Sequence, residues 1–203
     1  MNQLSSPFFL TYQGRTAVLQ LVSQDNTNKL SLRVISAVFD AVRSLSTEAE
    51  TGELKSLIFT GNERFFSAGA DLNEISRLSA PEALTFSRKG QKLTNAIDCF
   101  PVPVIAAIRG YCMGGGMDLA LACDYRIAAP NAVFGHRGAS LGLITGWGGT
   151  QRLPRLVGKA RALQMFLMAE MIKADEALRI GLVSEISDHP IESAFLKTTV
   201  SSR

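Results

Sequence analysis

The chain has little of what usually marks a function directly. It holds two histidines, one tryptophan and three cysteines in 203 residues. Cys99, Cys112 and Cys123 lack metal-ligand spacing, so no metal site is expected, and two of them lie in apolar surroundings as packed thiols rather than disulfide partners. That usage fits a reducing compartment, with the cytoplasm as the default. No apolar run approaches the roughly 20 residues of a membrane helix, and Met1–Leu10 lacks the basic start and apolar stretch of a secretory signal. The formal net charge of +3 is too small to imply a nucleic-acid partner, although it would not repel a polyanionic ligand. Tandem repeats and low-complexity segments are also missing.

What is present is a core. Hydrophobic residues make up 46% of the chain and charged residues 19%, which excludes disorder and suits one globular domain. Phe8–Tyr12 and Thr16–Val22, separated by Gln13-Gly14-Arg15, read as a β-hairpin. Ser31 caps a helix to about Leu45, with Val34, Ile35, Val38, Phe39 and Val42 at helical spacing. Leu54–Thr60, Val102–Ile108, Tyr125–Ala128 and Ala132–Phe134 read as strands. Helices are expected from Pro81 toward Asp98, and over Gly115–Ala122, Thr150–Leu156, Lys159–Met168 and Lys173–Ile180, the last with Asp175 or its neighbour near the cap. Strand–helix units at this spacing imply an α/β fold built from right-handed crossovers.

Two glycine-bearing loops punctuate this pattern. Gly110–Asp124 reads GYCMGGGMDLALACD and follows the apolar run that Pro101 and Pro103 introduce. Arg64–Leu72 reads RFFSAGADL and follows the strand Leu54–Thr60. Consecutive glycines at 114–116 are costly in a helix. They fit either close backbone packing or N–H groups left to face a ligand at a helix N-terminus.

The two loops, with Pro103–Ala107, Cys123-Asp124, Phe134-Gly135, Gly148–Leu153 and Gly181–Val183, resemble the enoyl-CoA hydratase/isomerase (crotonase) superfamily over roughly Phe8 to Ile186. The resemblance implies a ββα spiral core at residues 1–186. Family members continue into several more helices, whereas here 187–203 forms a short tail, so a shortened C-terminal helical region is expected. It also implies an acyl-CoA or enoyl-CoA substrate, no cofactor beyond the coenzyme A of that substrate, and a homotrimer or homohexamer.

The chemistry implied by the resemblance is enolate formation next to a thioester. Two backbone N–H donors at the enolate oxygen are worth roughly 3 kcal/mol each, and the family's pair falls on Ala70 and Gly115. The first catalytic glutamate of hydratases falls on Asp118, three residues beyond Gly115 and on the same helical face. As an acidic residue in a first helical turn, Asp118 also fits a purely dipolar role. The second glutamate falls on Gly138, and Thr145 stands where two other branches carry an acid. In one of those branches a glycine at the Gly138 position leaves room for bicarbonate. Substrate contacts are expected at Arg64, Ala68, Gly69, Asp71, Leu72, Gly114 and Gly138, with Asp71 equally suited to capping a helix. Asp25 occupies the family's other coenzyme A-contacting lysine position, and Lys29 replaces a usual small residue. His136 is read as a hydrogen-bonded strand-end residue or an acid/base, Trp147 as core packing or a cover of the acyl pocket. Arg152, Arg155, Lys159 and Arg161 are read as solvated surface, as are Arg88, Lys89 and Lys92. The alternatives to an enzyme are a non-catalytic acyl-CoA-binding or assembly subunit and, third, an RNA-binding family member.

Overall fold

The computed structural model describes residues 6–200. In chain order the elements are β1 (Phe8–Gln13), β2 (Thr16–Leu21), β3 (Lys29–Leu30), α1 (Leu32–Glu50), β4 (Ser56–Thr60), β5 (Phe65–Ser67), β6 (Gly69–Ala70), α2 (Leu72–Ile75) and α3 (Ala80–Asp98). They continue with β7 (Val104–Ile108), β8 (Tyr111–Met113), α4 (Gly115–Ala122), β9 (Tyr125–Ala128), β10 (Val133–Gly135), α5 (Gly149–Val157), α6 (Lys159–Leu167), β11 (Met171–Lys173), α7 (Ala174–Arg179), β12 (Glu185–Ile186) and α8 (Pro190–Val200).

Strands pair in the orders β1-β2-β4-β7-β9-β12 and β11-β10-β8-β5, with β3-β6 as a small parallel pair. Each winding of the chain lays one strand in the first sheet and the next in the second: β4 then β5, β7 then β8, β9 then β10. This is the ββα spiral expected of the crotonase fold. All five residues of β4 and of β7 are buried. Such strands must be apolar on both faces, and each fully buried Val or Ile contributes about 1.5–3 kcal/mol.

Local chemistry sets the element ends. Gly14, at φ 59°, makes the hairpin turn. Ser31 caps α1 by accepting from the Val34 N–H, and the helix runs to Glu50, past the expected Leu45. The Glu82 carboxylate accepts from the Ser79 N–H at 2.8 Å, so α3 begins just before Pro81. β7 starts at Val104 rather than Val102, because Pro103 cannot donate to the ladder and Asp124 anchors the Val104 N–H at 2.7 Å. α7 starts from Lys173 with no side-chain cap, and Asp175 sits inside its first turn.

Two stretches depart from the sequence reading. Arg64–Leu72 is less a loop than two short strands and a capped helix start. The segment beyond residue 186 carries α8, whose fully buried Ala194 packs with Ile58, Ile105, Ala107 and Ile127, and Ile191 and Phe195 close over them. Residues 201–203 lie outside the described region.

Candidate functional site

The site is built where the glycine cluster meets the RFFSAGADL segment. Asn28 holds the RFFSAGADL segment: its side-chain amide donates to the carbonyls of Phe65 and Phe66, and its own carbonyl accepts from Ser67 Oγ at 2.7 Å. Gly69 takes φ +91°, and a Cβ there would lie 2.6 Å from the Met113 carbonyl and 3.0 Å from the Gly115 nitrogen. Only glycine allows both the backbone conformation and that approach. Within the triple glycine the packing reading holds at two positions. A Cβ at Gly115 would overlap the Trp147 ring, and one at Gly116 would come within 2.6 Å of Ser67. Gly114, at φ +50°, faces open space instead. Gly115 is the first residue of α4, so the helix itself does not use its N–H.

A cavity of about 350 Å³ opens at this junction. Ala68, Ala70, Leu72, Gly114, Gly115, Asp118 and Gly138 all line it. Gly69 lies buried just behind the wall. Asp71 caps α2 by accepting from the Asn73 N–H, and Arg64 is exposed on the surface away from the lining. Asp25 and Lys29 pair with each other at 2.7 Å.

The sequence reading missed much of the apolar lining: Met113, Phe86, Leu78 and Ile75, with Leu141, Leu143 and Ile144 at the rim. Ile144 is 73% exposed. The signal for the rim was an apolar run between Gly138 and Gly146 that no core requires. Trp147 is core packing, as one reading had it, and it also lines the cavity. It is buried between Gly90 of α3 and Gly115 of α4, with its ring tilted against Phe86 at 5.5 Å between centroids.

A Cβ at Gly138 would lie 2.6 Å from the Leu143 carbonyl oxygen, so a side chain at this position would meet backbone, while Gly138 itself lines the cavity. Arg152 and Arg161 correct the sequence reading. Arg152 binds Asp98 at 3.1 Å and Asn95 at 3.0 Å, and Arg161 binds Glu170 and Glu176, each with most of its side chain covered. Arg155, Lys159, Arg88, Lys89 and Lys92 are exposed.

Among the described residues, Asp118 is the one carboxylate in the cavity lining. It is 1% exposed, on a helix buried almost all round. Its Oδ2 accepts from the Thr145 hydroxyl, and its Oδ1 lies 3.3 Å from His136 Nε2. An ionised carboxylate and a neutral Nε2 have no proton between them, and Oδ1 and Nε2 are both buried without a hydrogen-bond partner. Burial pushes the Asp118 carboxyl up to about 7, against the opposing pull of the Thr145 hydroxyl, the Arg152 charge and the Trp147 and Gly149 amides. Burial alone pushes His136 down to about 4. An acid poised near neutral pH is suited to moving protons in either direction. Among the described residues no group of three His, Cys, Asp or Glu could hold a metal ion, and no helix is long and apolar enough to cross a membrane.

These two displacements have a measurable linkage. Asp118 rises from an ordinary 3.8, so its contribution to stability is full below 3.8 and lost as pH rises toward 7. His136 falls from 6.5, so its contribution is full above 6.5 and lost as pH drops toward 4. Between about 4 and 6.5 the folded pair holds one proton on Asp118 and the unfolded pair holds one on His136, and the two slopes cancel. Asp118→Asn leaves the histidine slope alone. The variant is therefore expected to lose stability relative to the wild type on acidification across that window. The loss is on the order of 3 kcal/mol, at 1.4 kcal/mol per pH unit. Guanidinium unfolding at both ends of the window measures it, and parallel curves for the two proteins would contradict the assignment.

Comparisons with known proteins give the lineage. Residues 12–199 match the family model described as enoyl-CoA hydratase/isomerase. A crotonyl-CoA hydratase of Syntrophomonas wolfei is 43% identical over 178 residues, covering 87% of this chain and 67% of the relative. A probable enoyl-CoA hydratase of Bacillus subtilis is 44% identical over 158 residues, covering 77% of this chain and 60% of the relative. The chain thus spans roughly two thirds of the length of these relatives. The crystal structure of an enoyl-CoA hydratase from Bacillus anthracis superposes with a TM-score of 0.90 at 33% identity, covering 96% of this chain and 76% of that one. With the match running through both glycine loops and the cavity they enclose, the chain belongs to the enoyl-CoA hydratase/isomerase family and has its crotonase fold.

Proposed function

We propose that the protein acts on acyl-CoA thioesters through an enolate held between the N–H groups of Ala70 and Gly115, with Asp118 as the acid/base group. The observation that carries this reading is the convergence of Ala70 of β6 with Gly115 and Asp118 of α4 on one cavity with apolar walls. Developing charge on a thioester oxygen at the start of α4 is favoured by the free N–H and by the helix dipole. The apolar residues of α3 and of the 141–144 rim suit an acyl chain. With Gly138 and Thr145 in place of further acids, the reading favours single-carboxylate enolate chemistry over concerted two-glutamate hydration. Ala68, Gly69, Asp71, Leu72, Gly114 and Gly138 shape the substrate's path, and Arg64 is a surface contact for its phosphates. No cofactor beyond the substrate's own coenzyme A is required, and the cytoplasm is the expected compartment.

The test uses butyryl-CoA, whose α-protons report enolate formation without a committed reaction. Binding by calorimetry and exchange of α-hydrogen for solvent deuterium are expected. No binding would sink the proposal, and binding without exchange would replace it with the acyl-CoA-binding reading. Self-association into trimers or hexamers is also proposed, because Leu163, Leu167, Met168 and Met171 leave apolar surface exposed. Sedimentation giving a stable monomer at micromolar concentration would rule this out.

A further inference from the structure

Asp118 Oδ1 and His136 Nε2 are buried polar atoms without hydrogen-bond partners, and they face each other at 3.3 Å in the wall of the cavity. Such atoms are rare in folded proteins, and each calls for an occupant or a proton. A charged pair is a poor solution here. Both side chains are almost wholly buried, and Arg152, the cation whose charge bears on Asp118, is engaged with Asp98 and Asn95. One proton on the carboxylate, facing a neutral imidazole, satisfies both atoms and leaves the pair with no net charge.

We propose that His136 is a positioning residue for Asp118: its unprotonated Nε2 accepts the proton carried on Asp118 Oδ1 and holds that carboxyl in its acid form at the cavity wall. The proposal rests on the reading of Asp118 as the site's acid/base group. When Asp118 takes a proton, that proton settles on Oδ1 toward Nε2. When Asp118 gives it up, the carboxylate keeps the Thr145 hydroxyl on Oδ2, and His136 stays neutral in both states. The groups that bear on the pair come from every neighbouring element. Thr145, with the Trp147 and Gly149 amides, and Arg152 of α5 act on the carboxyl, its charge raises the buried Cys112 thiol of β8, and Arg137, next to His136 in the chain, lines the same cavity. The Phe166 ring of α6 packs on the imidazole at 5.1 Å. Burial raises Asp118 and lowers His136, in the directions that one shared proton requires.

The experiment follows the Asp118 carboxyl carbon and the histidine ring nitrogens by isotope-edited NMR across pH, in the free protein. The chain's only other histidine, His189, is exposed and serves as the internal reference. In the wild type, His136 Nε2 is expected to resonate as an unprotonated nitrogen through neutral pH and to change at the Asp118 midpoint. His136→Phe keeps the ring against Phe166 but removes the acceptor, so the Asp118 midpoint is expected to fall by about one pH unit. His136→Gln offers an amide oxygen to the same proton, and the midpoint should return toward the wild-type value. A midpoint that rises in His136→Phe would mean that Nε2–H donates to a carboxylate, and an unchanged midpoint would mean that the contact is only packing. Either result overturns the proposal, as does a wild-type imidazole protonated on both nitrogens at neutral pH. If His136→Phe does not fold, the wild-type nitrogen signals and the glutamine variant decide the matter. No acyl-CoA enters these measurements. Failure of butyryl-CoA exchange therefore leaves the result standing, and loss of the shared proton leaves the exchange result standing.

Discussion

Exchange of α-hydrogen on bound butyryl-CoA is expected to fall about 10²-fold or more when Asp118 becomes asparagine. The substitution keeps size and hydrogen bonding while removing the titratable proton. The asparagine carbonyl can still accept from Thr145 Oγ1, and its amide can still donate to His136 Nε2, so the wall of the cavity is retained. Binding of butyryl-CoA should change little, because the N–H groups of Ala70 and Gly115 remain. The comparison therefore separates proton transfer from binding: the exchange rate should collapse while the calorimetric affinity holds. Among the described residues no other carboxylate lines the cavity to take over the role. An exchange rate in the variant equal to that of an active wild type would remove Asp118 from the chemistry.

How much of this arrangement could be read from residues alone depended on length and burial. The strands β4 and β7 were legible because their buried apolar runs exceed what any loop tolerates. The short strands β3, β5, β6 and β8 were not. Two or three residues carry no period, and these segments become strands only because a partner backbone lies alongside, as Ala70 does for Leu30. The tail was legible only as scattered apolar residues, although Ile191 and Phe195 stand four apart, the spacing of one helical face. Backbone donors at Ala70 and Gly115 were found through the resemblance, since an N–H has no sequence signature. Of the Asp118–His136 approach, the sequence offered both residues but not their contact. They sit on α4 and just after β10, and only the parallel pairing of β8 with β10 brings those segments together. Arg152 and Arg161 were misread for a related reason, because a charge on a helix looks solvated until the elements packed against it are known.

The second large effect concerns Gly115, whose missing side chain makes room for Trp147. In Gly115→Ala the new methyl occupies the space of the indole ring, which Gly90 confines from the other side. The indole cannot easily retreat, since its backbone carbonyl is held by Thr94 Oγ1 at 2.8 Å and its ring rests on Phe86. Overpacking of this kind costs about 1–3 kcal/mol of stability. The displaced helix start also misaims the Gly115 N–H, and loss of one such donor is expected to slow exchange by about 10²–10³-fold. Trp147→Ala alone should cost more stability, about 3–5 kcal/mol, because it empties a filled core position. The double variant decides whether the two residues act through one another. With the ring gone, the alanine methyl has room, so the Gly115→Ala penalty should vanish or reverse, giving a coupling of about 1–3 kcal/mol between residues in contact. Guanidinium unfolding of the four proteins measures that coupling. Additive penalties would show that position 115 is glycine for some reason other than the indole, and that contact with Trp147 does not set the start of α4.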